Sequence, residues 1–366
     1  MRVTKTGRNT AYHKVGTPAV GLALTLALMM LSAPVSAAKA SSQDDAAATL
    51  SCDTLEDKAP EAPVEWLSYS LWASHCYSFQ ARAVAIDTLN VRTLALSHRI
   101  RDGVRQQVVQ HLDGPSVNVE RRARVGYWGW PGSLAPDGQP PVEDASDGAS
   151  PSMPLRWARH VASVYDLSLA EDKRVADRDA VQLTFTPVDD DRYRHQWWLD
   201  RETGLLLKHV LRDNDDTILE TFQVTRLQSP ERYPDAVTVE NRANDDLPEW
   251  RTGWLPDGMV RQPGAVQQSQ EGRTQRLYSD GLATVSVFVE SPAVSTALAT
   301  GVHRLGVSAI AVERHSGDEP WQVIAIGEIP PDMLGRIARS VTRSTETHSA
   351  DTQSADTRST DTHSTE

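Results

Sequence analysis

The 366-residue chain is short of most features that announce an enzyme or a nucleic-acid binder. It has no G-x-S-x-G nucleophile turn, no glycine loop of the phosphate-binding type and no H-E-x-x-H zinc motif. Histidine and cysteine meet only at His75-Cys76, and neighbours on a strand point to opposite faces, which disfavours a catalytic pair. Asp189-Asp190-Asp191 reads as a solvated turn rather than a cation site. Neither a metal nor a cofactor is expected, and no catalytic residue is assigned. Cations are also in deficit: the formal net charge is −12. Nucleic-acid binding draws most of its affinity from basic patches, so nucleic acid is not an expected partner. The longest apolar run, Ala19–Leu31, is too short for the roughly 20 residues that span a bilayer.

That run instead reads as the core of an export signal. Arg2, Lys5, Arg8 and Lys14 precede it, and Pro34 with Val35-Ser36-Ala37 supplies a small-residue cleavage site after about Ala37. Loss of residues 1–37 removes four cations and takes the formal charge from −12 to −16. The expected location is the periplasm. Cys52 and Cys76 are the only two cysteines. In an exported chain an even pair invites a disulfide, two free thiols being the alternative. Thr49-Leu50-Ser51 before Cys52 does not fit a lipid-attachment site. At the other end, residues 344–366 include a five-residue repeat (ETHSA, DTQSA, DTRST, DTHST) without large apolar side chains, and read as a disordered tail.

Between these ends the hydrophobic pattern predicts two domains. Residues 38–59 form a leader. A larger domain covers 60–228, opening with a helix after Pro63 (Val64, Leu67 and Leu71 at helical spacing) and continuing as short strands from Tyr77. Thr93–Ile100 alternates, with Leu94, Leu96, His98 and Ile100 on one face. Asp102-Gly103 signals a hairpin to Val104–Leu112. Gly129–Pro154 reads as a long surface loop or lid, and Leu155–Leu169 as a helix. Strands are expected at Ala180–Thr186, Tyr193–Leu199, Leu205–Arg212 and Leu219–Leu227. Residues 229–249 read as a linker. A smaller domain over 250–343 has strands at Arg276–Tyr278, Leu282–Glu290, Ser308–Arg314 and Trp321–Glu328. It ends in a helix after Pro330 whose stripe is Leu334, Ile337, Ala338 and Val341. The fold class is α+β, mainly antiparallel β.

Ten tryptophans against four phenylalanines are the compositional oddity. Tyr193, Trp197 and Leu199 share one face of a strand with His195, and Trp128 and Trp130 stand at the mouth of the Gly/Pro loop. These five aromatic and apolar residues are either core packing or the lining of an apolar concavity that accepts acyl chains.

Two blocks carry a resemblance. One runs from Val175-Ala176-Asp177-Arg178-Asp179-Ala180-Val181 through Asp191-Arg192-Tyr193-Arg194 to Trp198-Leu199-Asp200-Arg201-Glu202-Thr203-Gly204-Leu205-Leu206-Leu207-Lys208. The other joins Trp254-Leu255-Pro256-Asp257-Gly258-Met259 to Leu277-Tyr278-Ser279-Asp280-Gly281-Leu282-Ala283, and closes with Gly327-Glu328-Ile329-Pro330. In order and spacing these blocks resemble the RseB/MucB family over about 63–341. The resemblance implies a LolA-like unclosed β-barrel that holds helices, followed by a smaller α+β domain. It implies a non-enzymatic regulator that binds the periplasmic segment of a membrane anti-sigma factor (RseA- or MucA-like) and shields it from proteolysis. Lipopolysaccharide or another acyl-chain lipid would then loosen the complex, and a homo-oligomer is a further possible assembly. The partner surface is expected at Tyr278, Ser279, Asp280, Gly281, Leu282 and Ala283. A periplasmic lipid or lipoprotein carrier of the LolA type is the alternative; it would leave the second domain without a task.

Overall fold

The computed structural model describes residues 48–52, 60–101, 104–114, 118–124, 153–239, 250–262, 273–291, 299–316 and 319–343. Helix α1 (Pro63–Cys76) begins where Pro63 presets φ and the Glu65 carboxylate accepts the N–H groups of Glu61 and Ala62 at 2.9 and 3.1 Å. It runs directly into β2 (Tyr77–Asp87), because Tyr77 is already extended, with φ −106° and ψ 135°. Strands β3 (Val91–Arg101), β4 (Val104–His111) and β5 (Asn118–Arg124) follow as a meander. Arg101 pairs with Val104, which leaves two residues, Asp102-Gly103, for the connection.

Helix α2 (Met153–Ala162) then leads to β6 (Tyr165–Val175), β7 (Arg178–Pro187), β8 (Arg194–Asp200), β9 (Leu206–Arg212) and the long β10 (Ile218–Arg232). The nine strands form one antiparallel sheet in the order β5-β4-β3-β2-β10-β9-β8-β7-β6. Edges β5 and β6 do not pair with each other, so the sheet is unclosed, as expected. Both helices cover its β6–β8 end. Trp66 and Leu67 of α1 and Trp157, Ala158 and Val161 of α2 bury against Tyr165, Val181, Leu183, Phe185 and Leu199.

Two expectations need correction. The helix expected over 155–169 stops at Ala162, and Tyr165 begins a strand opposite Pro187. Tyr165, Leu167 and Leu169 alternate with Asp166, Ser168 and Ala170; this period of two wins once β7 offers a hydrogen-bonding edge. Of the eleven described residues in the stretch expected as a linker, eight are strand. β10 continues to Arg232, and β11 (Ala236–Val239) pairs with β1 (Ala48–Ser51) in the expected leader. The cause is local. Cys52 and Cys76 are bonded with Cα atoms 5.5 Å apart, and the Tyr233 N–H donates to the Cys76 carbonyl at 2.6 Å. The leader is thereby stapled to the end of α1, next to Ile100 and the partly buried Tyr69, Trp72 and Tyr77. The Gly/Pro loop, Trp128, Trp130, the export signal and the C-terminal repeat lie outside the described residues.

The second domain is a six-stranded antiparallel sheet in the order β13-β14-β15-β18-β17-β16, with a short β12–β19 pair beside it. Its elements are β12 (Trp250–Thr252), β13 (Val260–Arg261), β14 (Thr274–Ser279), β15 (Thr284–Glu290), β16 (Gly301–Leu305), β17 (Ser308–His315), β18 (Trp321–Gly327), α3 (Pro331–Ser340) and β19 (Val341–Arg343). The stripe expected on the last helix is the buried one. Leu334 and Ile337 are fully enclosed and pack with Val285, Val287, Val289 and Val323. Sequence patterning missed β16, whose five residues Gly-Val-His-Arg-Leu carry only two large apolar side chains.

Candidate functional site

The Tyr278–Ala283 segment, expected to face a partner protein, is a tight turn between β14 and β15 that inserts into the first domain. Its shape is set by its own polar side chains. The Asp280 carboxylate accepts the N–H groups of Leu282 and Ala283 at 2.9 and 2.8 Å through Oδ1. The Ser279 hydroxyl donates to the Ala283 carbonyl at 2.8 Å and accepts the Gly281 N–H at 3.0 Å. Gly281 sits at φ +103°, and a Cβ there would lie 2.7 Å from Val161 and 2.8 Å from the Trp157 indole nitrogen, both on α2. Leu282 packs against the core beneath α1 and α2.

Asp280 Oδ2 carries the link across. It stands 3.2 Å from Arg192 Nε and accepts the Tyr165 hydroxyl at 3.1 Å. Arg192 and Asp280 have side chains with no exposed surface. The guanidinium also reaches Asp189 at 3.0 Å, the Val164 carbonyl at 3.4 Å and the Asp257 carbonyl at 2.5 Å. It therefore ties the loop before β8 to two separate loops of the second domain. The Arg192–Asp280 contact is an ion pair without hydrogen-bond alignment, since Nε is otherwise unpartnered. A buried charge so held is stable only while its partners stay in place. Burial pushes the Asp280 carboxyl above the usual carboxylate range, opposed by the Leu282 N–H and Arg192.

A second contact lies beside the first. His160 Nε2 of α2 donates to the Gly258 carbonyl at 2.8 Å, and burial holds its imidazole below the ordinary histidine value. Gly258, at φ +71°, lies so close to Val164 that a Cβ would approach to 2.5 Å. Further along the seam, Val307 packs on Tyr193, Leu211 and Leu219, and the Arg304 charge lies beside the Tyr193 phenol. Residues 278–283 are thus a clasp between domains. Of the residues expected to face a partner, Asp280 is wholly buried, Tyr278, Ser279 and Ala283 are nearly so, and Gly281 and Leu282 are half-buried.

Three of the residues expected to line an acyl site, Tyr193, Trp197 and Leu199, are packed within the protein. Tyr193 is 3% exposed and faces the second domain. Leu199 is fully buried under the helices, and Trp197 packs edge-on to Phe185 with ring centres 5.0 Å apart. Between them His195 stacks on His209 at 5.3 Å, with Nδ1 and Nε2 3.2 Å apart. Burial keeps both imidazoles neutral, His209 falling to about 4. In this conformation the face is filled by side chains of α1 and α2 rather than open as a concavity.

The Asp200–Gly204 turn of the first sequence block is likewise structural. Arg178 grips the buried Asp200 carboxylate at 2.7 and 2.9 Å, and Asp200 accepts the Thr203 hydroxyl at 2.6 Å. Gly204, at φ +73°, leaves room for the Tyr69 ring, 2.4 Å from where a Cβ would sit. The shallow 360 Å³ cleft between Arg178 and Glu202 is a by-product of this knot, in which Arg178 is already paired with both acids. Arg192, Tyr165, His160 and Gly258 were not singled out by sequence reasoning. The only signal was that Arg192 and Gly258 fall inside the two similarity blocks.

With this geometry in view, comparison with known proteins is informative. Residues 62–242 match the MucB/RseB N-terminal domain model and residues 244–342 the MucB/RseB C-terminal domain model. The sigma factor AlgU regulatory protein MucB of Pseudomonas aeruginosa is 29% identical over 295 residues, 76% of this chain and 90% of that protein. The sigma-E factor regulatory protein RseB of Escherichia coli is 25% identical over 74% of this chain and 87% of its own length. Among solved structures, MucB in complex with MucA(peri) aligns with a TM-score of 0.56 at 28% identity, covering 78% of this chain and all of that one. Two consecutive domain models, matched in order across the clasp that joins them, place this chain in the MucB/RseB family.

Proposed function

We propose that this chain is a non-enzymatic periplasmic regulator that holds the periplasmic segment of a membrane-spanning anti-sigma factor and shields it from regulated proteolysis. The observation that carries the reading is the match over both domains, 62–242 and 244–342, to a family in which MucB has been solved together with MucA(peri). The clasp adds to it. A simple carrier would need only the first domain, whereas here a buried ion pair fixes a second one against it.

In this reading an acyl lipid such as lipopolysaccharide reverses the shielding. Helix α2 gives a physical route. Trp157 and Val161 belong to the core over β6–β8, and the same two side chains meet Gly281 of the clasp. A chain entering the face that carries Trp197 and Leu199 has to move α2, and moving α2 loosens the clasp. Release then follows by linkage, because the lipid favours the arrangement that holds the partner less tightly. A coupling of about 1–3 kcal/mol changes affinity roughly 5–150-fold.

The test is proteolysis of the anti-sigma periplasmic segment with and without this protein, then with lipopolysaccharide fragments. Protection that lipid reverses is the expected result. Protection without reversal removes the lipid arm. No protection, with tight capture of a lipoprotein instead, moves the assignment to the carrier class.

A further inference from the structure

The sheet edges are not alike. β6 is broken by a bulge between Ala170 and Lys173, with Asp172 at φ +56°, and carries Glu171, Asp172, Lys173 and Arg174. β5 has charged residues at Glu120, Arg121, Arg122 and Arg124, and β13 is two residues long. Bulges, charges and shortness are the usual devices that keep an edge from pairing with another chain. β16 has fewer of them. Its five residues pair with β17 in unbroken register from Gly301↔Val312 to Leu305↔Ser308. It contains neither proline nor lysine, and Val302 and Leu305 are 40% and 49% exposed. Among the described residues nothing pairs with its outer side.

The surroundings of this edge are cationic in a chain of net charge −12. Arg304 lies on the strand itself, and Arg336 and Arg339 on the outer face of α3. Arg339 and Val302 both border Gly335, at 3.2 Å from where its Cβ would sit, so α3 and β16 present one continuous surface. Arg336 lies over the Trp254 ring at 3.7 Å. All three arginines are exposed; Arg304 also lies beside the Tyr193 phenol and Arg336 within electrostatic reach of Asp191.

We propose that the outer edge of β16 is a docking edge for an extended, acidic peptide segment that adds as a seventh strand. Main-chain hydrogen bonds would supply the pairing. Alternate side chains would meet Val302, Arg304 and Arg339 on one side and His303 and Leu305 on the other. A second copy of the chain is disfavoured as occupant, because two β16 edges laid together bring like-charged arginines face to face. The proposal deepens the function above: it assigns site and charge to the held segment of the anti-sigma factor, and rests on that reading for the partner's identity only.

The probe is a blocked heptapeptide of alternating valine and glutamate, with a lysine-for-glutamate counterpart and a backbone N-methylated version. Binding to the full mature protein is followed by fluorescence anisotropy and by amide hydrogen exchange at Gly301–Leu305. The acidic peptide should bind and slow that exchange, while the lysine and N-methylated peptides should not. Arg304→Glu with Arg339→Glu should weaken binding by roughly tenfold, with a shift in melting temperature no larger than that of Tyr193→Phe, which removes the phenol beside Arg304 and should leave peptide binding intact; added salt should weaken binding in the unsubstituted protein. Equal affinity for both charge types, binding without protection of β16, or protection that rises with protein concentration in the absence of peptide overturns the proposal. The anti-sigma periplasmic fragment is run in parallel. If it binds the unsubstituted protein and the double variant equally, the edge assignment fails and the function stands. If it is not bound at all, the function reading fails while the peptide arm still decides the edge.

Discussion

Replacing Asp280 by alanine strips four groups of a partner at once: Arg192, the Tyr165 hydroxyl and the N–H groups of Leu282 and Ala283. Removing one half of a fully buried ion pair costs about 3–5 kcal/mol, since the remaining charge stays in a low-dielectric site. Each orphaned neutral donor that remains buried adds about 1–3 kcal/mol. Arg192 keeps Asp189 and two carbonyls, which offsets part of this, so a net loss of about 3–5 kcal/mol is expected. Urea unfolding of the protein is the assay, and the first domain should separate from the second at lower denaturant. Arg192→Met combined with Asp280→Ala should lose less than the two single losses together, because no unpaired buried charge is left. The double-mutant cycle should return a coupling of about 0.5–3 kcal/mol. A loss below about 1 kcal/mol for Asp280→Ala, or strict additivity, would refute the view that this pair holds the domains.

Four further outcomes follow from the same structure. Gly281→Ala meets Val161 and the Trp157 indole at under 3 Å and disfavours φ +103°, so it should open the clasp, read as faster hydrogen exchange in α2 with the second-domain core unchanged. Leu334→Ala, at a fully buried position on α3, should cost about 2–5 kcal/mol by urea unfolding; an unchanged midpoint would mean that the helix does not pack as seen. Cys52→Ser with Cys76→Ser should cost roughly 3–4 kcal/mol in the chain-entropy model and free β1 from β11, with exchange at Ala236–Val239 as the readout. His209 is held neutral, its value lowered from 6.5 to about 4, so its contribution is complete above pH 6.5 and is lost as pH falls toward 4. Melting temperature should drop across that window, and His209→Phe should flatten the drop.

Much of the local structure was legible in the chain itself. Alternation placed β3, β4, β7, β8, β9 and β10 to within a few residues over most of their ends, and Leu334, Ile337 and Ala338 of the expected stripe gave the buried face of α3, while Val341, also buried, begins β19, because period and burial are properties of a segment and its nearest neighbours. The start of α1 was equally local, fixed by Pro63 and by Glu65 reaching back to Glu61 and Ala62. Where two local patterns competed, tertiary pairing chose between them: Tyr165–Val175 became strand because β7 lay alongside.

The site belongs to the second category. Ser279-Asp280-Gly281 reads as an exposed turn, since polar residues and glycine are what exposed turns use. Only the approach of Arg192, 88 residues earlier, turns Asp280 into a buried anion, and only α2 turns Gly281 into a contact too close for a side chain. The Tyr193–Leu199 face reads equally as cavity lining or as core, and only the structure shows that Leu199 and the partly buried Trp197 pack under the two helices. Sequence determined which segments are helix or strand and which face of each is apolar, because those depend on residues within a few positions of one another. The tertiary structure decided what each face meets, because the energy of a buried charge or a missing Cβ depends on atoms the chain brings from far away.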